Sequence, residues 1–142
     1  MRTDGRPSPR WFRLDAGFSD VDDIDGLFAT VADAPRPEGR FVFSILHPCF
    51  AGGARVSGSW PSNATYYDEG WWRADGELSF LRQQVGANHR MLSTYINTLA
   101  RNGLAIETAV EPSPEPEWIA DRPDAAPQPV YFVAACRRVK LQ

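Results

Sequence analysis

Two segments of this chain are apolar almost without a break: Phe41-Val42-Phe43-Ser44-Ile45-Leu46 and Val130-Tyr131-Phe132-Val133-Ala134-Ala135-Cys136. A strand that is apolar at every position has no side to turn to water, so each run predicts an interior strand buried on both faces. Between them lies a helical pattern from Asn88 to Asn102, with Leu92, Tyr95, Ile96 and Leu99 on one face, Asn88 as cap and Gly103 as a left-handed stop. Leu104 to Glu111 then alternates, Leu104, Ile106 and Val110 on one side and Glu107 and Glu111 on the other, as an edge strand does. A strand-helix-strand crossover favours a parallel pair, whereas the proline-rich 112–129 connection contains no helical pattern and makes the last strand antiparallel. Since that last strand is the more apolar of the final two, it belongs between the others. The expected class is α/β, with a mixed sheet and an antiparallel final strand.

Upstream, Val21, Ile24, Leu27, Phe28 and Val31 recur at helical spacing over Val21 to Ala34. Ser19 or Asp20 can cap this helix, and Asp22, Asp23 and Asp25 favour its positive end. These aspartates lack the glycine and distal glutamate of a calcium loop, so no metal site is expected. Pro35, Pro37 and Gly39 end the helix before the first apolar run, and His47-Pro48 ends that run. Residues 48–85 show little periodicity but carry Phe50, Trp60, Tyr66, Tyr67, Trp71, Trp72 and Phe80. A long aromatic insertion of this kind reads as a lid or binding loop. Residues 1–19 form a lead-in in which Trp11-Phe12-Arg13-Leu14-Asp15 is a degenerate strand, and 20–138 form the body of one domain.

With 142 residues, 43% hydrophobic and 23% charged, the chain can build one core. A net charge of −3 provides no basic field for nucleic acid or an anionic membrane. Neither apolar run approaches the ~20 residues that cross a bilayer, and the arginine-bearing start has no apolar stretch behind it. A cytoplasmic location is the expectation. Cys49 and Cys136 have no CxxC spacing, which argues for buried thiols rather than a disulfide framework or zinc.

Three local segments and their order resemble class I S-adenosylmethionine-dependent methyltransferases of the type 11-like group, C-terminal portion only. Arg36-Pro37-Glu38-Gly39-Arg40-Phe41-Val42-Phe43-Ser44 looks like that family's helix-to-strand junction, with Glu38 where a glycine is usual. His47-Pro48-Cys49-Phe50 and His89-Arg90-Met91-Leu92-Ser93-Thr94-Tyr95 look like its small-molecule-methylating members. The resemblance covers residues 20 to 138 and implies a partial Rossmann-like fold, S-adenosylmethionine as cofactor and a small-molecule methyl acceptor. No GxGxxG-like turn after a strand occurs in the sequence, so the cofactor contacts are incomplete and weak or absent activity is expected of this chain alone. A non-catalytic binding module derived from such an enzyme is the alternative. The Phe41–Leu46 strand is expected to carry an open edge, to be covered by a second copy or by a missing N-terminal half.

Methyl transfer needs positioning and, for some acceptors, a base. His47 at a strand's C-terminal end and His89 at a helix start are the candidate bases, each with a structural role as its competitor. The resemblance would place Asp15 and Ala16 beside the cofactor. Tyr66, Tyr67, Trp71 and Trp72 are candidates for holding a planar substrate, against a plain packing role, and Arg90 for pairing with an anionic one, against a helix-surface salt bridge.

Overall fold

The computed structural model describes residues 11–14, 20–34, 39–51, 64–73, 80–121 and 129–139. In chain order these form β1 (Trp11–Leu14), α1 (Ile24–Ala32), β2 (Arg40–Leu46), α2 (Pro48–Ala51), β3 (Gly70–Trp72), α3 (Phe80–Val85), β4 (Ala87–His89), α4 (Leu92–Arg101), β5 (Leu104–Val110), α5 (Pro116–Asp121) and β6 (Tyr131–Arg138). One sheet has the order β1-β2-β6-β5, and β3 pairs with β4 in a separate two-stranded ribbon. β6 runs antiparallel to both neighbours, with Phe43 opposite Ala134 on one side and Ala109 opposite Ala134 on the other. β2 and β5 are therefore parallel to each other, as the crossover through α4 predicts.

The core lies on one face of the sheet. Phe41, Phe43 and Ile45 of β2, Phe132, Ala134 and Cys136 of β6 and Leu104 of β5 pack against Ile24, Phe28 and Ala32 of α1 and Tyr95 and Leu99 of α4. Phe28 is wholly buried, its ring centroid 6.2 Å from those of Phe41 and Phe43. Each such ring withdraws enough apolar area to favour folding by ~2–3 kcal/mol. Val42, Ser44 and Leu46 are only half-buried, so β2 is not covered equally on both faces as its composition suggests. Its apolar sequence reflects a core face joined to a face of intermediate exposure.

Four further expectations are corrected. β1 pairs in parallel with β2 from Trp11 opposite Arg40 to Leu14 opposite Phe43, so the edge of β2 is occupied over four positions. α1 starts at Ile24, three residues later than its apolar spacing suggests, because the Asp23 carboxylate accepts the Gly26 N–H at 2.8 Å; Asp23 is the cap, rather than Ser19 or Asp20. Asn88 belongs to β4 and does not cap α4, which begins at Leu92 after Met91. Residues 116–121 of the proline-rich connection are helical, and Trp118 there packs, like Leu46, against Val130. Gly103, with φ 68°, is the left-handed stop that its position after α4 predicts.

A bulge between Ile106 and Thr108 changes the sidedness of β5. Ile106 lies opposite Cys136 on the core side, but Val110 lies opposite Val133 and is 52% exposed, so the two do not share a face. The bulged Glu107 bridges Arg40 at 2.9 Å and Arg137 at 3.3 Å. Both arginines are more than half exposed, and such pairs contribute little. Replacing Phe43 by Ala should lower stability by about 3–5 kcal/mol, and Val110→Ala by less than about 1 kcal/mol, as read by urea denaturation.

Candidate functional site

The C-terminal ends of β1, β2 and β5 lie along one edge of the sheet, together with the start of β6. In open α/β sheets that edge is where ligands gather. His47 leaves β2 there, and its N–H donates to the Val130 carbonyl at 2.8 Å. The imidazole is 3% exposed. Its Nδ1 accepts the Cys49 N–H at 3.1 Å, which places the ring proton of the neutral form on Nε2, 2.9 Å from Glu111 Oε1. His47 thus joins the ends of β2, β5 and β6 and supplies a capping acceptor to α2, whose first residue, Pro48, has no N–H to satisfy. Both ring nitrogens are engaged, so proton transfer to a ligand would require one of these bonds to open. Cys49 is exposed, against the expectation of a buried thiol, but the desolvation it does undergo, and then the Glu111 carboxylate, push its thiol above the ordinary value of 9.0, which disfavours a thiolate nucleophile. Cys136 is pushed up to about 12 by burial and by Glu107.

A second cluster forms where the β3–β4 ribbon meets α4. Met91, the N-cap residue of α4, makes no side-chain capping bond. The cap comes instead from the ribbon: Glu69 Oε1 accepts the Met91 N–H at 2.6 Å and the Thr94 hydroxyl at 2.5 Å, and the Tyr66 hydroxyl accepts the Leu92 N–H at 3.0 Å. A carboxylate also suits the positive end of the helix. His89 Nε2–H donates to the Tyr66 carbonyl at 2.7 Å, and the two rings meet edge to face. Burial pushes the His89 pKa below its ordinary 6.5, only partly offset by the Tyr66 bond and by Glu69 and Asp68.

Arg90 does not lie on a helix surface, and among the described residues it pairs with no carboxylate. It is 7% exposed, and its Nη2 donates to the carbonyls of Val21 at 2.5 Å and Asp22 at 2.8 Å, tying the start of α4 to the lead into α1. Asn88 reinforces the tie, donating to the Asp22 carboxylate at 2.9 Å. At the other end of α4, Asn102 donates to Asp25 at 2.9 Å. Burial raises the phenol pKa of Tyr95, with the Arg90 guanidinium pulling the other way.

Tyr66, His89 and Arg90 therefore converge on the start of α4, and Trp71 and Trp72 share the ribbon with His89. Tyr67 meets Tyr66 edge to face but is 77% exposed. Gly86 has φ 71°, and a Cβ there would come within 2.6 Å of the Trp72 carbonyl and 2.7 Å of Trp71 Nε1, so the glycine lets the indole lie against the chain. His47 belongs to the separate sheet-edge cluster. Asp15 and Ala16 lie outside the described residues. Two functional-looking residues, Glu69 and Glu111, escape sequence reading: their partners are 22 and 64 positions away, and no local spacing reports such contacts. Among the described residues there is no group of three or more His, Cys, Asp or Glu side chains able to hold a metal, and no helix long and apolar enough to cross a membrane.

Neither a family model nor a curated protein matches the chain. Solved structures do. An S-adenosylmethionine-dependent methyltransferase from Mesorhizobium loti is 33% identical, with a TM-score of 0.69 over 91% of this chain and 61% of its own. A protein from Listeria monocytogenes assigned to the same activity is 24% identical, with a TM-score of 0.70 over 92% of this chain and 62% of its own. A geranyl diphosphate C-methyltransferase from Streptomyces coelicolor A3(2), at 17% identity and a TM-score of 0.57, shares the fold over 92% of this chain and 48% of its own. The chain thus spans about three fifths of the length of the first two.

The described residues do not by themselves fit the cofactor of those proteins. Their left-handed glycines, Gly70, Gly86 and Gly103, open β3, precede β4 and precede β5, and none lies at a turn from a strand into a helix, where backbone amides cradle a nucleotide.

Removing the helix cap by Glu69→Ala should lower stability by about 1–2 kcal/mol, and Glu69→Gln by less, in thermal or urea unfolding. Because the His89 pKa is depressed in the folded chain, its neutral form favours folding. Its contribution is complete above pH 6.5 and is lost as pH falls through the lower folded value, so stability should decline on acidification through that window. In His89→Gln that part of the pH dependence should flatten.

Proposed function

We propose, taking as premise that this chain has the fold of the C-terminal portion of the class I S-adenosylmethionine-dependent methyltransferases, that it supplies the acceptor-binding part of an enzyme methylating a small molecule. What supports this is the 33% identity to the Mesorhizobium loti methyltransferase over 91% of the chain, combined with the antiparallel placement of β6 between β2 and β5. Similar structures include a 1,6-didemethyltoxoflavin-N1-methyltransferase from Burkholderia thailandensis, with its substrate bound, and the geranyl diphosphate enzyme, so small-molecule acceptors of unlike chemistry are served by this fold. The cofactor supplies an electrophilic methyl group when bound. We assign its glycine-rich contacts to residues other than those described here, and Asp15 and Ala16 to its near edge.

Within that scheme this chain's residues bind and orient. His47 and Glu111 fix the edge where β2 and β5 end, and hold α2 through the Cys49 N–H. His89, Tyr66 and Arg90 hold the aromatic ribbon against α4 and the lead into α1. We assign both histidines positioning roles in this arrangement, with proton transfer by His47 open only to an acceptor that displaces Glu111 or the Cys49 N–H. Tyr67 and Trp71 present the rings available to the acceptor. The poor fit to the cofactor favours one second reading, a non-catalytic binding module that keeps the ribbon and has lost methyl transfer.

Titrating the isotopically labelled chain with S-adenosylhomocysteine separates the two. The methyltransferase reading expects weak binding, with a Kd above about 100 µM because the described residues provide no amide cradle, and amide shifts clustered at residues 14–16, 46–47 and 110–111. An absence of shifts at millimolar ligand would leave only the binding module. Micromolar affinity would instead refute the claim that the cofactor contacts of this chain are incomplete.

A further inference from the structure

The β3–β4 ribbon and the residues that flank it expose large apolar side chains. Tyr67 is 77% exposed, Trp71 52% and Val85 50%; the Trp71 indole lies against Gly86, whose chain neighbour is Val85. Exposed apolar groups gathered on one short module mark a binding surface rather than a core. The charge around them has one dominant sign. Asp68 follows Tyr67 directly, with its carboxylate fixed by the Thr65 N–H at 2.7 Å and the Thr65 hydroxyl at 2.8 Å. Those bonds hold it below the ordinary carboxylate range. Glu69 is next in the chain, and Asp22 reaches Asn88, the residue opposite Trp71 in the ribbon. Asp20 and Glu69 each push the Tyr95 phenol pKa in the same direction, upward. Among the described side chains, the cations next to this module in the chain are Arg90, buried and donating to the Val21 and Asp22 carbonyls, and the exposed Arg73, which follows β3. Aromatic faces in a field of carboxylates attract a positively charged ring compound and repel an anion.

We propose that the ribbon is the acceptor-binding surface and that its ligand is a planar organic cation, seated on the rings of Tyr67 and Trp71 with the Asp68 carboxylate as its counter-charge. This rests on the acceptor-binding role above and gives it a substrate class, opposite in sign to the anion that Arg90 suggests in the sequence.

The test is calorimetric titration of the whole chain, without cofactor, with three indoles of like size: tryptamine (cationic), tryptophol (neutral) and indole-3-propionate (anionic). Tryptamine should bind in the millimolar range or tighter and about tenfold more tightly than indole-3-propionate, a preference that weakens as salt is raised. Asp68→Asn, which keeps an oxygen for Thr65, should abolish the preference for the cation, and the Tyr67→Ala, Trp71→Ala double variant should weaken all three ligands. Both rings are exposed, so a thermal midpoint close to that of the parent verifies that this variant is folded. Equal affinities, a preference for the anion, no binding at millimolar ligand, or unchanged affinity in the double variant would overturn the proposal. Since no cofactor is present, failure here leaves the methyl-transfer reading standing, and failure to bind S-adenosylhomocysteine leaves this one.

Discussion

The insertion of β6 between β2 and β5 is the constraint on which the rest of this structure depends. β6 is the last strand in sequence, yet it supplies the hydrogen bonds of both its neighbours and carries Phe132, Ala134 and Cys136 into the core. Without it, β2 and β5 would present two facing rows of unpaired amides and carbonyls, and Phe43 would lose its contact with Phe132. The same insertion decides the chemistry of the sheet edge. Because β6 is antiparallel to both, β2 and β5 end together, and His47 meets Glu111 across the start of β6.

The aromatic ribbon is held by polar contacts rather than by a core of its own. Glu69 and the Tyr66 hydroxyl take amides that a helix start leaves unsatisfied, and His89 returns a bond to the Tyr66 carbonyl. The ribbon and α4 each complete the other. α4 is in turn tied to the opening of α1 at both ends, through Arg90 and Asn88 at its start and Asn102 at its finish. A ligand resting on the ribbon is therefore linked to the helical layer behind the sheet by a short chain of hydrogen bonds. Tyr67 and Trp71, outside that chain, remain exposed.

The relation to methyltransferases is one of fold and partial length. This chain carries the strand ends where ligands gather in open α/β sheets, the ribbon and the helices behind them. The described residues do not provide the glycine turn that brings backbone amides to a nucleotide.

Residue order was enough for the elements whose signal is local. The runs at Phe41–Leu46 and Val130–Cys136, the Leu92, Tyr95, Leu99 stripe and Gly103 after it specified two strands, a helix and its stop, and the greater apolarity of the last strand placed it inside the sheet. The tertiary structure alone decided what depends on distant partners. The degenerate strand at Trp11–Leu14, interrupted by Arg13, takes its place in the sheet because β2 offers it an edge; Val110 changes face because one extra residue at Glu107 is accommodated in the pairing with β6; and α4 starts at Leu92 because Glu69 and Tyr66 reach its amides. Periodicity records which side of an element is apolar, whereas register, bulges and caps supplied from far along the chain are set by what the folded neighbours present.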